Sequence, residues 1–383
     1  MSQPLNRVLV IKMFYPMVKA VAMRNINVVA FGIESGVESQ AEADIVRSLP
    51  KNVKYIPLNF RRNRKNLGSL DLISKVTKLV KNETPDIIHV NALQDLLLTY
   101  LAVHSTISAK KRPAIVAMAH NPNVWSSPRR ARQAASAIRF FADGFAALAT
   151  TNMNQLIGFG IPSNRLAVIP NPFDLDQLKA EINVPEKPIA SKQKSVRIIY
   201  IANICERKAQ DVLIRAAAQV IKKHPAVYFE LVGKEMESEK EYCEKVHALA
   251  RDLDIQDHIS FPGLVPFEDA MRRLADSDIF AFPTLSEMMP RAVIEAMMAG
   301  KPIIASSVDG ILDLIHDRQT GLLVRPGNEE ELVNALCELI ENPDLSKSLG
   351  SASRDYVMNF CSPERVGRLF QGFYQSILDE KGK

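Results

Sequence analysis

Two glutamates, Glu287 and Glu295, are the residues of this chain whose type and spacing point most directly to chemistry. Glu287 follows a Pro-Thr-Leu-Ser turn, and Glu295 lies in an apolar, helix-forming run. If a helix begins near Pro290, Glu295 lies inside it and Glu287 lies in the loop that leads into its N-terminus. Helix N-termini attract phosphate through unpaired N–H groups and the helix dipole, and neighbouring carboxylates suit ligand hydroxyls. The pair therefore predicts a site for a phosphorylated, hydroxyl-rich ligand.

A second group of polar residues follows an apolar run at Val196–Ile201. Asn203, Arg207 and Lys208 lie in the turn before the next helical pattern, and a turn of this kind with two cations suits a diphosphate. Gly233 and Gly263 follow two further apolar runs, where a missing side chain permits close approach of a ligand.

Short apolar runs alternate with amphipathic segments throughout the chain, which predicts parallel sheets covered by helices on both faces. Strands are expected at Arg7–Ile11, Asn27–Phe31, Ile87–Val90, Ile115–Ala119, Gly144–Ala149, Leu166–Ile169, Val196–Ile201, Val227–Val232, Ile259–Pro262, Ile279–Pro283, Pro302–Ser306 and Gly321–Val324. Helices are expected at Asp211–Lys223, Glu237–Leu253, Phe267–Ala275 and Pro363–Leu378.

The pattern predicts two doubly wound, Rossmann-like α/β domains that face each other across a cleft. Residues 1–175 form the first, a polar and proline-bearing stretch at 176–195 forms the linker, and residues 196–361 form the second. Residues 362–383 form a closing helix that crosses back to the first domain.

Composition restricts the class of protein. No apolar run reaches membrane-spanning length, the start of the chain has no signal-peptide pattern, and the four scattered cysteines fit reduced thiols in the cytoplasm. The formal charge of +5 is uneven, because residues 1–175 carry 22 lysines and arginines against 10 aspartates and glutamates. Basic runs at 61–65 and 129–132 suit contact with nucleic acid, an anionic membrane or a phosphorylated acceptor. For either run alone a solvated surface is the favoured interpretation, and the bias across the whole first domain weakens it.

Four motifs occur in a fixed order along the chain. Val168–Pro172 is a VIPN-type junction, Glu287 and Glu295 frame an E-x7-E motif, Glu295–Ala305 is a helix-to-strand segment, and Thr320–Gly327 reads TGLLV-x-PG. Because of these motifs, the chain from about residue 196 to 375 resembles the retaining glycosyltransferases of the GT-B fold, in the large family 4 group.

The resemblance implies a role for each matching residue. Glu295 would bind the ribose of a nucleotide sugar, and Glu287 would contact the transferred sugar. Lys208 would hold the diphosphate, and His120, after the strand Ile115–Ala119, matches the family's N-terminal-domain histidine at the donor sugar. The catalytic candidates are therefore Glu287, His120 and Lys208. The donor-binding candidates are Glu295, Asn203, Arg207, Lys208, Gly233, Leu264, whose backbone would meet the base, and Met288, Met289 and Pro290.

The chain departs from the family pattern at several positions. Ala202-Asn203 replaces the usual Gly-Arg, Lys208-Ala209 replaces Lys-Gly, and Asp309-Gly310 replaces Gly-Gly. No glycine occurs before Gly32, and about a dozen residues of the family's glycine-rich loop and first helix are absent between the first two strands.

The resemblance implies an enzyme that moves a sugar from a nucleotide donor to a hydroxyl of a glycan or lipid-linked acceptor, in cell-envelope polysaccharide or glycolipid biosynthesis. We expect it in the cytoplasm, peripheral on the inner face of the cytoplasmic membrane. The expected partners are the nucleotide-sugar donor, the acceptor and an anionic membrane met by the basic first domain. No cofactor and no metal are expected, because no Asp-x-Asp metal site is evident and the fold of the family does not normally need one.

Alternatives remain open. The missing loop suits a catalytically impaired sugar-nucleotide-binding or partner subunit, and the fold also occurs in epimerases and phosphorylases. A nucleic-acid binder is disfavoured, since clustered aromatics between the basic residues are lacking. Trp125 would stack on a sugar or pack in the core, and His89 is interpreted as structural.

Overall fold

The computed structural model describes residues 4–11, 15–34, 47–59, 67–105, 107–120, 124–125, 127–173, 178 and 195–382. They form two α/β units, one from Met1–Phe173 with Cys361–Lys383 and one from Asp174–Phe360. Every pair of neighbouring strands in both sheets is parallel, which confirms the predicted class of two parallel-sheet α/β domains. The predicted linker lies outside the described residues except for Leu178 and Ser195.

The first unit contains a seven-stranded sheet in the order β3-β2-β1-β4-β5-β6-β7. Its strands are β1 Arg7–Ile11, β2 Asn27–Glu34, β3 Val53–Asn59, β4 Ile87–Val90, β5 Ala114–Met118, β6 Gly144–Ala147 and β7 Leu166–Val168. Its helices are α1 Tyr15–Ala22, α2 Leu67–Glu83, α3 Leu96–His104, α4 Pro128–Phe141 and α5 Thr150–Gly158, with the C-terminal helix Pro363–Lys381. All residues of β4, β5 and β6 are buried, as strands covered on both faces require.

One strand of this sheet, β3, was not among the predicted strands. It is the edge strand, and its described side chains are half-buried or exposed, so it lacks the continuous apolar run of the central strands. Pro57 is tolerated there because an edge strand has one side without a ladder partner.

The second unit contains a six-stranded sheet in the order β10-β9-β8-β11-β12-β13. Its strands are β8 Val196–Ile201, β9 Val227–Val232, β10 Ile259–Gly263, β11 Ile279–Phe282, β12 Ile303–Ser306 and β13 Leu322–Val324. Its helices are α6 Gln210–Lys223, α7 Lys240–Asp252, α8 Phe267–Ala275, α9 Arg291–Met298, α10 Asp309–Leu312, α11 Glu329–Glu341 and α12 Pro343–Phe360. The six strands predicted here are all present within two residues of their expected ends.

The C-terminal helix, α13 (Pro363–Lys381), packs against α1 in the first unit. Ser362 caps its N-terminus through the backbone N–H of Arg365, and Pro363 occupies the first helical turn. The two helices approach closely, because a Cβ on Gly367 would lie 2.3 Å from the carbonyl oxygen of Ala20.

None of the helices in the described part of the chain combines the length and the apolar run that crossing a bilayer requires. All four cysteines are buried and reduced.

Candidate functional site

The candidate site lies at the carboxyl edge of the second sheet. The chain runs from β8 to β9 and β10 on one side, then returns to place β11 on the other side of β8, so the strand order reverses between β8 and β11. Ligands of open α/β sheets bind outside the carboxyl ends of the strands at such a switch point. Arg207 and Lys208 follow β8, and Glu287 follows β11, so the topology brings these three residues together.

The three residues form one ionic cluster. The Arg207 Nη1 lies 2.9 Å from Oε1 of Glu287, and the Lys208 ammonium donates to the same oxygen. The side chains of Lys208 and Glu287 are 13% and 10% exposed, whereas Arg207 is 42% exposed. One carboxylate thus holds two cations, which leaves a net positive charge that suits a diphosphate.

Burial and aromatic packing set the electrostatics of Lys208. Burial lowers the pKa of its ammonium from the ordinary value, although Glu287 favours the charged form. The ammonium lies 4.7 Å from the centre of the Phe282 ring, and Tyr200 donates a hydrogen bond of 2.8 Å to the Lys208 carbonyl. Both contacts hold Lys208 in place in the turn between β8 and α6.

The two loops are also joined through their backbones. The Leu285 N–H and the Thr284 hydroxyl donate to the carbonyl of Arg207, at 2.9 and 3.1 Å. Arg207 also donates to the carbonyl of Ser286 at 2.7 Å. The cluster is therefore held in place by hydrogen bonds on both loops.

Ala209 adopts a left-handed conformation, with φ 53° and ψ 43°, between a 3-10 turn at Glu206–Lys208 and helix α6. Glycine adopts this conformation at less cost than alanine. This conformation explains why glycine suits the position. The chain adopts it with Ala209 instead, at a cost in the stability of the folded state.

Glu295 lies inside α9 and Glu287 in the loop before it, as predicted, and Pro290 is the N-cap residue. Glu295 is 4% exposed, and its Oε1 accepts a hydrogen bond of 2.6 Å from Arg291 Nε one turn earlier. The Arg291 guanidinium in turn lies 5.0 Å from the centre of the Phe267 ring. No motif marks Arg291 as a site residue, although its spacing of four residues from Glu295 on a helix is a usable signal.

Two glycines bring the loops together. A Cβ on Gly233 would lie 1.8 Å from the carbonyl oxygen of Ala202, and a Cβ on Gly310 would lie 1.1 Å from that of Met288. Gly233 was interpreted as leaving room for a ligand, and the structure gives it a packing reason as well. Gly310 lets α10 pack closely against the loop that carries Glu287. Its backbone N–H donates to the Glu287 carbonyl oxygen, with 3.3 Å between the nitrogen and the oxygen.

The remaining donor-binding candidates also follow strand ends. Asn203 follows β8 and is exposed, and its carbonyl accepts from Gln210 at 2.9 Å. Leu264 follows β10 and is 72% exposed. Met288 is buried and Met289 half-buried in the loop before α9. The roles of all these residues stay predictions.

His120 belongs to the first unit, two residues after the end of β5. Burial lowers its pKa to about 4, so it is neutral near pH 7. Its Nε2 lies 3.4 Å from Oδ1 of Asn91, which is also 3.0 Å from Nε2 of His89. Trp125 packs against the core of this unit, 6.1 Å from Phe145 between ring centres.

One group of side chains in the described residues has metal-ligand types within reach of one another: His224, Cys337 and Glu341. It lies where α6 and α11 end, which is the opposite edge of the sheet from the candidate site. Nε2 of His224 lies 3.0 Å from Oε1 of Glu341 there, within hydrogen-bonding distance.

Comparison with known proteins supports an assignment to a family. The profile of the family Glycosyltransferase Family 4 matches residues 13–177, and that of Glycosyl transferases group 1 matches residues 183–356. Together the two profiles account for most of the chain.

Two curated relatives and one solved structure illustrate the similarity. The D-inositol 3-phosphate glycosyltransferase of Rhodococcus opacus (strain B4) is 30% identical over 62% of this chain and 54% of its own length. The GDP-mannose-dependent alpha-(1-6)-phosphatidylinositol monomannoside mannosyltransferase of Mycobacterium tuberculosis (strain CDC 1551 / Oshkosh) is 25% identical over 52% of this chain and 49% of its own length. The matched region thus spans about half the length of these relatives.

The structure of Anabaena Alr3699/HepE in complex with UDP and glucose covers 96% of this chain and 98% of its own, with a TM-score of 0.71 and 19% identity. At this identity the likeness shows the fold. Two sequence profiles over successive halves and a matching fold agree: the chain belongs to the group 1, family 4 glycosyltransferases of the GT-B fold.

Proposed function

We propose that this chain is a retaining glycosyltransferase, which moves a sugar from a nucleotide-sugar donor to a hydroxyl of a glycan or lipid-linked acceptor. The observation that supports this most is the cluster of Arg207, Lys208 and Glu287 at the switch point of the second sheet. Two cations with one carboxylate provide net positive charge for a diphosphate. The neighbouring Glu295 supplies a buried carboxylate for ligand hydroxyls.

The cluster has a direct chemical use in such a transfer. When the bond from the anomeric carbon to the diphosphate breaks, its electron pair leaves with the diphosphate, and Lys208 and Arg207 stabilise that negative charge. A bound diphosphate competes with Glu287 for both cations, which releases Glu287 toward the transferred sugar. The acceptor oxygen bonds to the anomeric carbon on the same face, and its proton passes to the leaving diphosphate. Positioning and charge stabilisation supply most of the catalysis.

The relatives favour particular substrate classes. One solved neighbour holds UDP and glucose, and one curated relative is described as GDP-mannose-dependent and acting on a phosphatidylinositol monomannoside. A UDP- or GDP-sugar donor and a phosphorylated or lipid-linked acceptor of envelope glycan synthesis are therefore proposed for this chain.

A thermal-shift screen tests the donor site. UDP-, GDP- and ADP-sugars are added to the full chain and to Glu295→Ala, since a ligand at 100 times its Kd adds about 2.7 kcal/mol to the stability of the folded state. We expect one nucleotide class to raise the Tm of the wild type, and Glu295→Ala to lose most of that rise. If no nucleotide shifts the folded wild type, the donor-site assignment is wrong.

A nucleotide-binding but inactive partner subunit is the second candidate function, favoured by Asn203 and Ala209 at positions where the family has arginine and glycine. Both candidates predict nucleotide binding. Only the enzyme releases nucleoside diphosphate in proportion to glycosylated acceptor, so product analysis with the best donor and a panel of lipid-linked acceptors separates them.

We further propose that the first unit docks on an anionic membrane through exposed side chains of α3 and α4. On α4, Arg129 and Arg132 are exposed, and Phe140 is 69% exposed. On α3, Leu97 and Leu101 are 44% and 42% exposed and lie one helical turn apart. Exposed apolar side chains beside cations are complementary to the boundary between anionic headgroups and acyl chains. The second basic run, at 61–65, lies outside the described residues.

Co-sedimentation with vesicles tests this surface. Vesicles of equal parts phosphatidylglycerol and phosphatidylcholine are compared with pure phosphatidylcholine at low salt. We expect pelleting only with the anionic vesicles, and weaker pelleting for Phe140→Ser and for Arg129→Gln. Ile157→Ser is the matched control, because Ile157 is a 40% exposed apolar residue on α5. Absence of wild-type pelleting at low salt, or equal losses in the control, would contradict the proposal.

A further inference from the structure

Three side chains with metal-ligand groups meet where helices α6 and α11 end in the second unit. Cys337 and Glu341 are four residues apart on α11, so they share one face of that helix, one turn apart. His224 is the C-cap residue of α6, and α6 packs against α11. One imidazole nitrogen, the Cys337 sulfur and one carboxylate oxygen all lie within 4.8 Å of one another. The fold therefore brings three different ligand types from two helices to one place.

The spacing of these atoms suits a tetrahedral metal ion. Bonds of about 2.0–2.3 Å to nitrogen, oxygen and sulfur place the ligand atoms roughly 3.3–3.8 Å apart around zinc. Nε2 of His224 and Oε1 of Glu341 lie 3.0 Å apart, so the distances to the sulfur are the ones that have to close, by at most about 1 Å. The side chains of Glu341 and His224 are 57% and 23% exposed, so both have room to make this adjustment by rotation.

The types of ligand select the class of metal. A thiolate with an imidazole and a carboxylate is a set that Zn²⁺ binds, whereas Mg²⁺ and Ca²⁺ require oxygen ligands. Three protein ligands leave one tetrahedral position to water. The C-terminal ends of α6 and α11 each carry the negative end of a helix dipole, which also favours a cation at this place.

Cys337 is the buried end of this group, with 8% of the residue exposed. Burial raises the pKa of its thiol, while Lys223 lowers the pKa and Glu341 raises it. The thiol therefore carries its proton near pH 7. Zinc displaces that proton as the bond from zinc to sulfur forms, so each ion that binds releases the thiol proton to solvent.

We propose that His224, Cys337 and Glu341 bind one zinc ion, which links the C-terminal ends of α6 and α11. The unfolded chain holds these ligands apart, so zinc bound to the folded state stabilises the second unit. The group lies at the opposite edge of the sheet from the candidate donor site. The ion therefore takes no part in the proposed transfer, and its binding can be measured without any sugar donor.

Calorimetric titration of zinc into the full chain, after treatment with a chelator, tests the site. We expect one zinc ion per chain, with a heat that varies with the ionisation enthalpy of the buffer because the thiol proton is released. Cys337→Ser and Glu341→Gln should each weaken binding at least about tenfold, a loss already usual for residues that only support a metal ligand. Glu341→Gln changes a largely exposed side chain and should leave the fold intact.

His247→Gln is the matched control. Nε2 of His247 lies 2.8 Å from Oε1 of Glu235, so this pair also offers an imidazole and a carboxylate in the second unit. The thiol of Cys243, one turn earlier on α7, donates instead to the Ile204 carbonyl. His247→Gln should therefore bind zinc like the wild type. No zinc binding by the wild type, or equal losses in His247→Gln and Glu341→Gln, would overturn the proposal.

Cobalt provides a second measurement, because its spectrum reports a sulfur ligand directly. A bond from Co²⁺ to a thiolate gives a strong charge-transfer absorption in the near ultraviolet, which we expect for the wild type and His247→Gln and not for Cys337→Ser. Zinc should also raise the Tm of the wild type and leave that of Cys337→Ser unchanged. A cobalt complex of the wild type without this absorption, or a zinc-dependent rise in Tm that Cys337→Ser retains, would contradict the role of Cys337.

Discussion

Mild acid should destabilise the first unit through His89 and His120. Their pKa values are lowered by burial to about 3 and about 4, against 6.5 in an unfolded chain. As pH falls below 6.5, the unfolded chain takes up protons that the folded unit does not, so the free energy of unfolding falls with pH. The stabilisation is complete above pH 6.5 and is lost progressively down to the folded pKa values.

The size of the loss follows from the same values. Between pH 7 and pH 5, each histidine should lower the free energy of unfolding by roughly 2 kcal/mol. At pH 5 both histidines are still largely neutral in the folded unit, because their folded pKa values are lower. The loss of stability is therefore set mainly by proton uptake in the unfolded chain, whose histidine pKa is 6.5. Two such losses amount to a substantial part of the roughly 5–15 kcal/mol that stabilises an ordinary domain.

Urea unfolding at pH 7 and pH 5 measures this loss, followed by fluorescence of Trp125. Trp125 is the chain's single tryptophan and is half-buried against the core of the first unit, so its signal reports that unit. The wild type should lose roughly 4 kcal/mol between the two pH values, and His120→Gln about half of that. His258→Gln, in the second unit, controls for the loss of a histidine as such. Equal wild-type stabilities at pH 5 and 7, or an undiminished fall in His120→Gln, would refute the reasoning.

Two further predictions concern the backbone around the cluster in the second unit. Ala209→Gly should raise the free energy of unfolding of this unit by about 0.5–1 kcal/mol, because Ala209 has a left-handed backbone conformation that glycine adopts at less cost. Ala216→Gly, inside α6, should lower the free energy of unfolding by a similar amount. Urea midpoints that shift in the same direction for both variants would contradict this. Gly310→Ala should destabilise the unit by several kcal/mol and abolish nucleotide binding, because its Cβ would overlap the Met288 carbonyl. Gly372→Ala on α13 is the control, because a Cβ there meets nothing within 4 Å, and it should be neutral or stabilising. A Gly310→Ala protein that melts and binds nucleotide like the wild type would disprove the close approach of Gly310 to the Met288 carbonyl.

The sequence predicts most of the fold because strands buried on both faces appear as uninterrupted apolar runs, such as Ile87–Val90. The edge strand Val53–Asn59 has no such run, so pattern alone misses it. The run at 61–65 and most of the linker lie outside the described residues, and their predictions stay untested.

The candidate site is predictable in part for a similar reason. Residues that follow parallel strands share one edge of the sheet, so Lys208 and Glu287 could be placed there from their positions alone. Their shared ion pair depends on which strands are neighbours, and only the sheet order shows that. The partners Arg291 and Asn91 were missed, because each acts through another residue rather than through a motif.

The central claim is that the cluster of Arg207, Lys208 and Glu287 at the switch point binds the donor diphosphate. Calorimetric titration tests it most directly, with the nucleotide that gives the largest thermal shift. A buried charge-assisted hydrogen bond contributes roughly 1.5–3 kcal/mol, so Lys208→Met should weaken binding about 10- to 100-fold. Lys222→Met, at an exposed lysine near the end of α6, should bind like the wild type. Equal affinities of the wild type and Lys208→Met would contradict the account.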